Sequence, residues 1–125
     1  MPSKALVVDD SKAIRMLIAK TLRQIGYEVQ EAANGREALD IIEAGNTAVE
    51  LVLADWNMPE MNGLELLKRL RQNPALSSLA VVMVTTETEI EQIAEAMQAG
   101  ANEYVMKPFT PDILVEKLQL AAIHP

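Results

Sequence analysis

A chain of 125 residues, half of them hydrophobic, is long enough for one domain with a continuous core. Its net charge of -7 and its few aromatic residues (one Trp, two Tyr, one Phe) oppose phosphate backbones and base stacking, so no direct nucleic-acid binding is expected. Cysteine is absent, which excludes disulfides, zinc-thiolate sites and thiol catalysis, and no apolar run approaches the roughly 20 residues of a membrane span; a cytoplasmic protein that does not enter the membrane is expected.

Residues 5–8 (Ala-Leu-Val-Val) form an apolar run without alternation, as suits a strand covered on both faces, and lead into Asp9-Asp10. From Ser11 the spacing becomes helical, with Ile14, Leu17, Ile18, Leu22 and Ile25 on one stripe, Asp10 or Ser11 as N-cap and Gly26 as the stop. Residues 27–31 alternate like an edge strand. Asn34 with Glu37 has the form of a capping box, ahead of a stripe of Ala38, Leu39, Ile41 and Ile42 that stops at Gly45. A third strand over about 50–54 ends at Asp55, because Pro59 cannot join a ladder and pushes Met58 out of helical geometry.

After Asn62-Gly63, the spacing of Leu64, Leu67 and Leu70 predicts a helix that Asn73-Pro74 breaks. Residues 79–84 are a second fully apolar, β-branched strand ending at Thr85-Thr86. Thr88 with Glu91 suggests another capping box, followed by a helix with Ile90, Ile93, Ala94 and Met97 on one face and a stop at Gly100. Residues 103–106 form a short strand before Lys107-Pro108, and Thr110-Pro111 opens a last helix. Strands alternating with helices through short connections predict an α/β fold, a five-stranded doubly wound parallel sheet with helices on both faces.

Every strand of a parallel sheet points its carboxyl end to the same rim, where ligands bind. That rim receives Asp9, Asp10, Asp55, Thr85 and Lys107. Three carboxylates together repel one another unless a cation neutralises them, and hard oxygen donors suit Mg²⁺. With a Lys ammonium and a Thr hydroxyl alongside, the set fits the oxygens of a phosphoryl group carried by Asp55 as nucleophile. Taken singly each residue has an ordinary reading as a cap, a turn residue or a solvated charge. The five in fixed order after successive strands carry the inference.

The runs Val7-Val8-Asp9-Asp10-Ser11, Asp55-Trp56-Asn57-Met58-Pro59, Met61-Asn62-Gly63-Leu64-Glu65, Val84-Thr85 and Tyr104-Val105-Met106-Lys107-Pro108-Phe109 resemble the receiver domain of two-component response regulators. The single-domain chemotaxis (CheY-like) regulators are the most similar. The resemblance spans essentially the whole chain and implies one receiver domain over 1–125 with no effector domain, in the flavodoxin-like strand order 2-1-3-4-5. It implies that Asp55 takes a phosphoryl group from a sensor histidine kinase, and that Asp10, Asp55 and the backbone carbonyl of Asn57 ligate Mg²⁺, with Asp9 acting through water. Lys107 then pairs with the phosphoryl oxygens, Thr85 turns toward them, and Tyr104 moves inward. That motion changes the surface made by the last two helices and the strand between them, which binds an unknown downstream protein. The Lys107-Pro108 peptide is expected to be cis. A signalling switch is implied rather than a turnover enzyme, catalysing only its own phosphotransfer and dephosphorylation, and a monomer is expected.

Two other classes share parts of this pattern. A haloacid-dehalogenase-like phosphohydrolase needs a second acid two residues after its nucleophile, and here that residue is Asn57, an amide that cannot protonate a leaving group. A flavin-phosphate binder needs a Ser/Thr/Gly-rich anion loop where this chain has Asp9-Asp10. Met16, Met83, Met97 and Met106 fall in apolar patterns and are expected in the core, and His124 in a disordered tail is a poor phosphoryl donor. Motor-binding relatives carry lysines on the output face, whereas Glu87, Glu89, Glu91 and Glu95 stand here, which speaks against flagellar-motor binding.

Overall fold

The apolar runs form five strands, β1 (Lys4–Val8), β2 (Glu28–Ala32), β3 (Val49–Asp55), β4 (Ala80–Thr85) and β5 (Glu103–Met106), in a computed structural model that describes residues 3–45, 48–86 and 90–125. All pairings are parallel and the order is β2-β1-β3-β4-β5, as expected. The helices are α1 (Lys12–Gln24), α2 (Gly35–Glu43), α3 (Gly63–Arg71), α4 (Ile90–Gln98) and α5 (Pro111–Leu120). A single 3₁₀ turn, Pro74–Leu76, follows the break at Asn73, a detail that the helical pattern does not announce.

Four caps hold the helix starts in register with the strands. The side-chain oxygens of Ser11, Asn34, Asn62 and Thr110 accept from the backbone N–H of Ile14, Glu37, Glu65 and Ile113 at 3.3, 2.8, 2.9 and 3.3 Å. Each such cap contributes about 1 kcal/mol. Of the two candidates for the first cap, Ser11 takes the role. The capping box expected on Thr88 lies outside the described residues.

Alternation along each strand divides the core. Leu6, Val8, Val52, Ala54, Val81 and Met83 face α2, α3 and α4, while Ala5, Val7, Leu51, Leu53, Val82 and Val84 face α1 and α5. Leu66, Leu67 and Leu70 of α3 are fully buried in the first layer, and Ile18, Leu22, Leu114 and Leu118 in the second. Each buried side chain of this size contributes about 1.5–3 kcal/mol by leaving water, so the sheet is clamped from both sides.

Three expectations are corrected here. Only Met83 of the four methionines is a core residue; Met16, Met97 and Met106 are 56%, 41% and 37% exposed. Met16 lies two residues before buried Ile18, about 200° round the helix and so on its outer side. Met106 ends an edge strand that has no neighbour beyond it. In α4 the buried residue is Ala96, with Ile93 half-buried, whereas Ala94 and Met97 point outward. The tail is also seated rather than disordered: Ile123 N donates to Leu118 O at 2.8 Å and its side chain packs on the second layer, while His124 stays exposed.

Arg71, the last residue of α3, joins three segments. Its Nε donates to Gly100 O at 3.0 Å, Nη1 to Leu76 O at 3.1 Å and Nη2 to Asn102 Oδ1 at 3.0 Å. Asn102 Oδ1 also accepts from Val81 N at 2.8 Å. The connection leaving α4 is thereby tied both to α3 and to the start of β4.

Candidate functional site

Register brings the strand ends level. Val8 lies opposite Ala54, Asp55 opposite Val84 and Thr85 opposite Met106, so the next side chains along β1, β3, β4 and β5 share one rim. Backbone bonds continue the ladder one step beyond the strands: Asp9 N donates to Ala32 O at 3.2 Å, Trp56 N to Val84 O at 2.8 Å and Lys107 N to Thr85 O at 2.7 Å. The functional side chains therefore hang from hydrogen-bonded backbone rather than from free loops.

Asp9, Asp55 and Thr85 are buried, and Asp10 is exposed at the mouth. Carboxylate oxygens of Asp9, Asp10 and Asp55 all lie within 4.8 Å of one another. The Lys107 ammonium reaches between two of them, 2.9 Å from Asp9 Oδ2 and 3.5 Å from Asp55 Oδ1. Asp9 Oδ1 accepts from Ser11 N at 2.9 Å, so both Asp9 oxygens already have protein donors. The Lys107-Pro108 peptide is cis, as expected.

One ammonium among three carboxylates leaves the pocket negative. Burial, and then the charge of Asp9, push the Asp55 carboxyl above its ordinary range; Lys107 offsets this in part and Asp10 adds to it. For Lys107 burial opposes the charged form, but the Asp9 hydrogen bond and the Asp55 and Asp9 charges outweigh it and hold the ammonium above the usual lysine range. A cluster of hard oxygens with surplus negative charge fits a divalent cation such as Mg²⁺, which takes one or two carboxylates and keeps several waters.

Of the remaining predicted residues, Asn57 lies exposed just past β3. Tyr104 is set apart from the acids, half-buried, its ring packed against the α3 and α4 layer and covered by the Lys117 ammonium 4.1 Å from its centroid. Sequence reasoning missed two contributors. Arg15 of α1 donates from Nη1 to Asp9 O at 2.6 Å and from Nε to Glu31 at 3.2 Å, bracing the turn that carries the acid pair. Its helical spacing from Ser11 was the available signal. Gly63 looks from the sequence like a turn residue alone, yet its N–H donates to Trp56 O at 3.0 Å, and a Cβ there would run into Asp55 O.

Known proteins with the same pattern give this geometry its context. The model of the response regulator receiver domain family matches residues 5–119. The chemotaxis protein CheY1 of Helicobacter pylori is 45% identical over 118 residues, covering 94% of each chain. A CheY homolog of Campylobacter jejuni is 46% identical over 117 residues, 93% of this chain and 89% of that protein. Among solved structures, the chemotaxis response regulator CheY4 of Vibrio cholerae superposes with a TM-score of 0.87 at 39% identity, over 97% of this chain and 99% of its own. The phosphohydrolase alternative finds no support in these likenesses. Matched over nearly all of its length in sequence and in fold, the chain belongs to the response regulator receiver family and is a CheY-like domain of phospho-accepting two-component signalling, a switch rather than a metabolic enzyme.

Proposed function

We propose that Asp55 is the phosphoacceptor, and the observation that carries this reading is its place: a buried carboxylate ending β3, 3.5 Å from the Lys107 ammonium and beside two further acids. An Asp55 oxygen attacks the phosphorus of a sensor kinase's phosphohistidine; the O–P bond forms as the P–N bond breaks, and the imidazole leaves with the electron pair. Lys107 moves its charge toward the phosphoryl oxygens. Asp10, Asp55 and the Asn57 carbonyl would hold Mg²⁺, with Asp9 acting through water because both of its oxygens are engaged. The bound ion supplies charge neutralisation that makes approach of a phosphoryl group to this acidic pocket favourable. The same site performs its own dephosphorylation. Intact mass after acetyl phosphate and Mg²⁺ tests the reading, with Asp55→Asn as the comparison.

Beside Lys107 an apolar recess of about 530 Å³, lined by Ile14, Leu17, Pro108 and Phe109, offers the donor domain a resting place within reach of Asp55. No helix among the described residues is long and apolar enough to cross a membrane.

Trp56 is 9% exposed and adjoins both Asp55 and Asn57. Its fluorescence is expected to change on Mg²⁺ titration, and Asp10→Ala should weaken the response by about tenfold in apparent affinity or more, as loss of a charged ligand does. A titration curve identical in the two proteins would remove Asp10 from the ligand set.

The signal leaves through Thr85 and Tyr104, which lie on adjacent strands. A dianion on Asp55 draws the Thr85 hydroxyl by a charge-assisted hydrogen bond, and Tyr104 then exchanges its place under Lys117 for one further in. Couplings of this kind are worth about 1–3 kcal/mol. Thr85→Ala is therefore expected to accept the phosphoryl group normally and to transmit nothing. With beryllofluoride, amide resonances across α4, β5 and α5 shift in the parent protein, but in Thr85→Ala only those around Asp55 do. Equal long-range shifts in both would show another route.

A further inference from the structure

Asp9 has every polar atom engaged. Its N–H donates to Ala32 O at 3.2 Å, Oδ1 accepts from Ser11 N at 2.9 Å, Oδ2 from the Lys107 ammonium at 2.9 Å, and the backbone carbonyl from Arg15 Nη1 at 2.6 Å. Asp10 stands differently. It is exposed at the mouth, with an oxygen within 4.8 Å of those of the other two acids, and among the described residues its carboxylate accepts no hydrogen bond. The direction in which Asp10 leaves the backbone is set by the peptide that joins it to Asp9. That peptide is planar, so a donor fixed on its oxygen fixes the whole plane and leaves φ of Asp10 as the soft angle. The donor is Arg15.

The guanidinium is held in turn. Its Nε donates to Glu31 Oε1 at 3.2 Å, the side chain is only 16% exposed, and Arg15 N donates to Ser11 O at 3.0 Å at the start of α1. Bonds run from Arg15 to Ser11, from Ser11 to Asp9 and from Asp9 back to Arg15, with Glu31 of β2 as a strut from outside the ring. A planar fork can hold a carboxylate with one arm and a carbonyl with another, which the single point of an ammonium cannot do. We propose that Arg15 is a positioning residue for the divalent cation, holding the Asp9-Asp10 peptide so that the Asp10 carboxylate is aimed into the pocket before the ion arrives. This rests on the reading of Asp10 as a ligand.

Charge and geometry predict opposite signs for the loss of Arg15. Removing a cation from beside the acid pair, and uncovering Glu31, makes the surroundings more negative and should tighten a divalent ion. Loss of a brace should weaken it. In Mg²⁺ titrations followed by the amide resonances of Asp55 and Asn57, Arg15→Ala is expected to bind about threefold to tenfold more weakly than the parent, by no more than Asp10→Ala does. Because Arg15 acts through Asp10, adding Arg15→Ala to Asp10→Ala should change the affinity by less than about twofold. In the metal-free protein the heteronuclear NOE of the Asp10 amide should fall in Arg15→Ala while that of Asp55, inside a paired strand, stays. Should Arg15→Ala melt below the working temperature, Arg15→Met keeps the apolar stem, removes only the donors and carries the same expectations.

Parental or tighter binding without Arg15, unchanged order at Asp10, or a loss in the Asp10→Ala background as large as in the parent overturns the proposal. The two readings fail separately. Weakening by Asp10→Ala beside parental binding in Arg15→Ala strikes the positioning role alone, whereas an Asp10→Ala curve identical to that of the parent removes Asp10 from the ligand set and the positioning role with it.

Discussion

Asp55→Asn is expected to abolish labelling by acetyl phosphate and, without a divalent cation, to make the protein more stable. An amide has nearly the shape of the carboxylate but no nucleophilic oxyanion, so incorporation should fall by at least about a thousandfold, as loss of a reacting side chain does. Stability follows from the direction of the pKa shift. Burial and the nearby Asp9 make folded Asp55 hold its proton to higher pH than the unfolded chain does. Folding then favours the protonated form, so stability falls as pH rises from the ordinary carboxylate range through the raised value, and it stays lower above it. The neutral amide of the variant carries no such penalty. Its melting temperature should exceed that of the parent at neutral pH, with the gap closing on acidification below the ordinary carboxylate range. Normal labelling would move the acceptor elsewhere. A variant that melts lower at every pH would show instead that the Lys107 pairing outweighs the desolvation.

Gly63→Ala should also cost function, by a different route. The added methyl would run into Asp55 O and lie 3.0 Å from Asp55 C and 2.8 Å from Met83 Cε. Met83 can swing its methyl aside, but the Asp55 carbonyl belongs to a strand paired on both edges. Overpacking of this kind costs about 3 kcal/mol, at the upper end of the usual range, which for a domain of this size lowers the melting temperature by about 10 °C. Relief comes by moving α3 or the end of β3, and a displacement of about 1 Å at the acceptor can cost about a hundredfold in rate. Gly45→Ala is the comparison: among the described residues nothing lies within 4 Å of its Cβ, so only the strain of its φ of +67° remains, about 1–2 kcal/mol. Calorimetry and initial labelling rates decide the matter, and parental values for Gly63→Ala would mean that α3 yields to the methyl without disturbing the acceptor.

The site was legible where it depends on strand ends. An apolar run must stop where its burial stops, so the sequence alone puts Asp9, Asp55, Thr85 and Lys107 on one rim, and all four are there. Lateral packing was less legible. In α4 the choice between Ala94 and Ala96 as the inward residue is not written in a helix whose small residues suit either face, and the inward one is Ala96. Methionine is apolar enough to fit a core pattern and flexible enough to stand in water, which is why Met16, Met97 and Met106 misled. Arg15 and Gly63 act through backbone atoms of residues distant in sequence or across a turn, and periodicity carries no trace of that.

The three bonds of Arg71 set the mechanics of α4. With Gly100 O and Asn102 held, the trailing end of the helix is a fulcrum, and any reorientation that keeps those bonds is a rotation about it. Nine residues at about 1.5 Å each make an arm of about 13 Å, so a tilt of about 10° carries the leading end about 2 Å while the trailing end scarcely moves. A lever of that form multiplies a small change near Thr85 into a displacement of the size of a side-chain contact, and delivers it at the end of the helix nearer the strand that Thr85 closes.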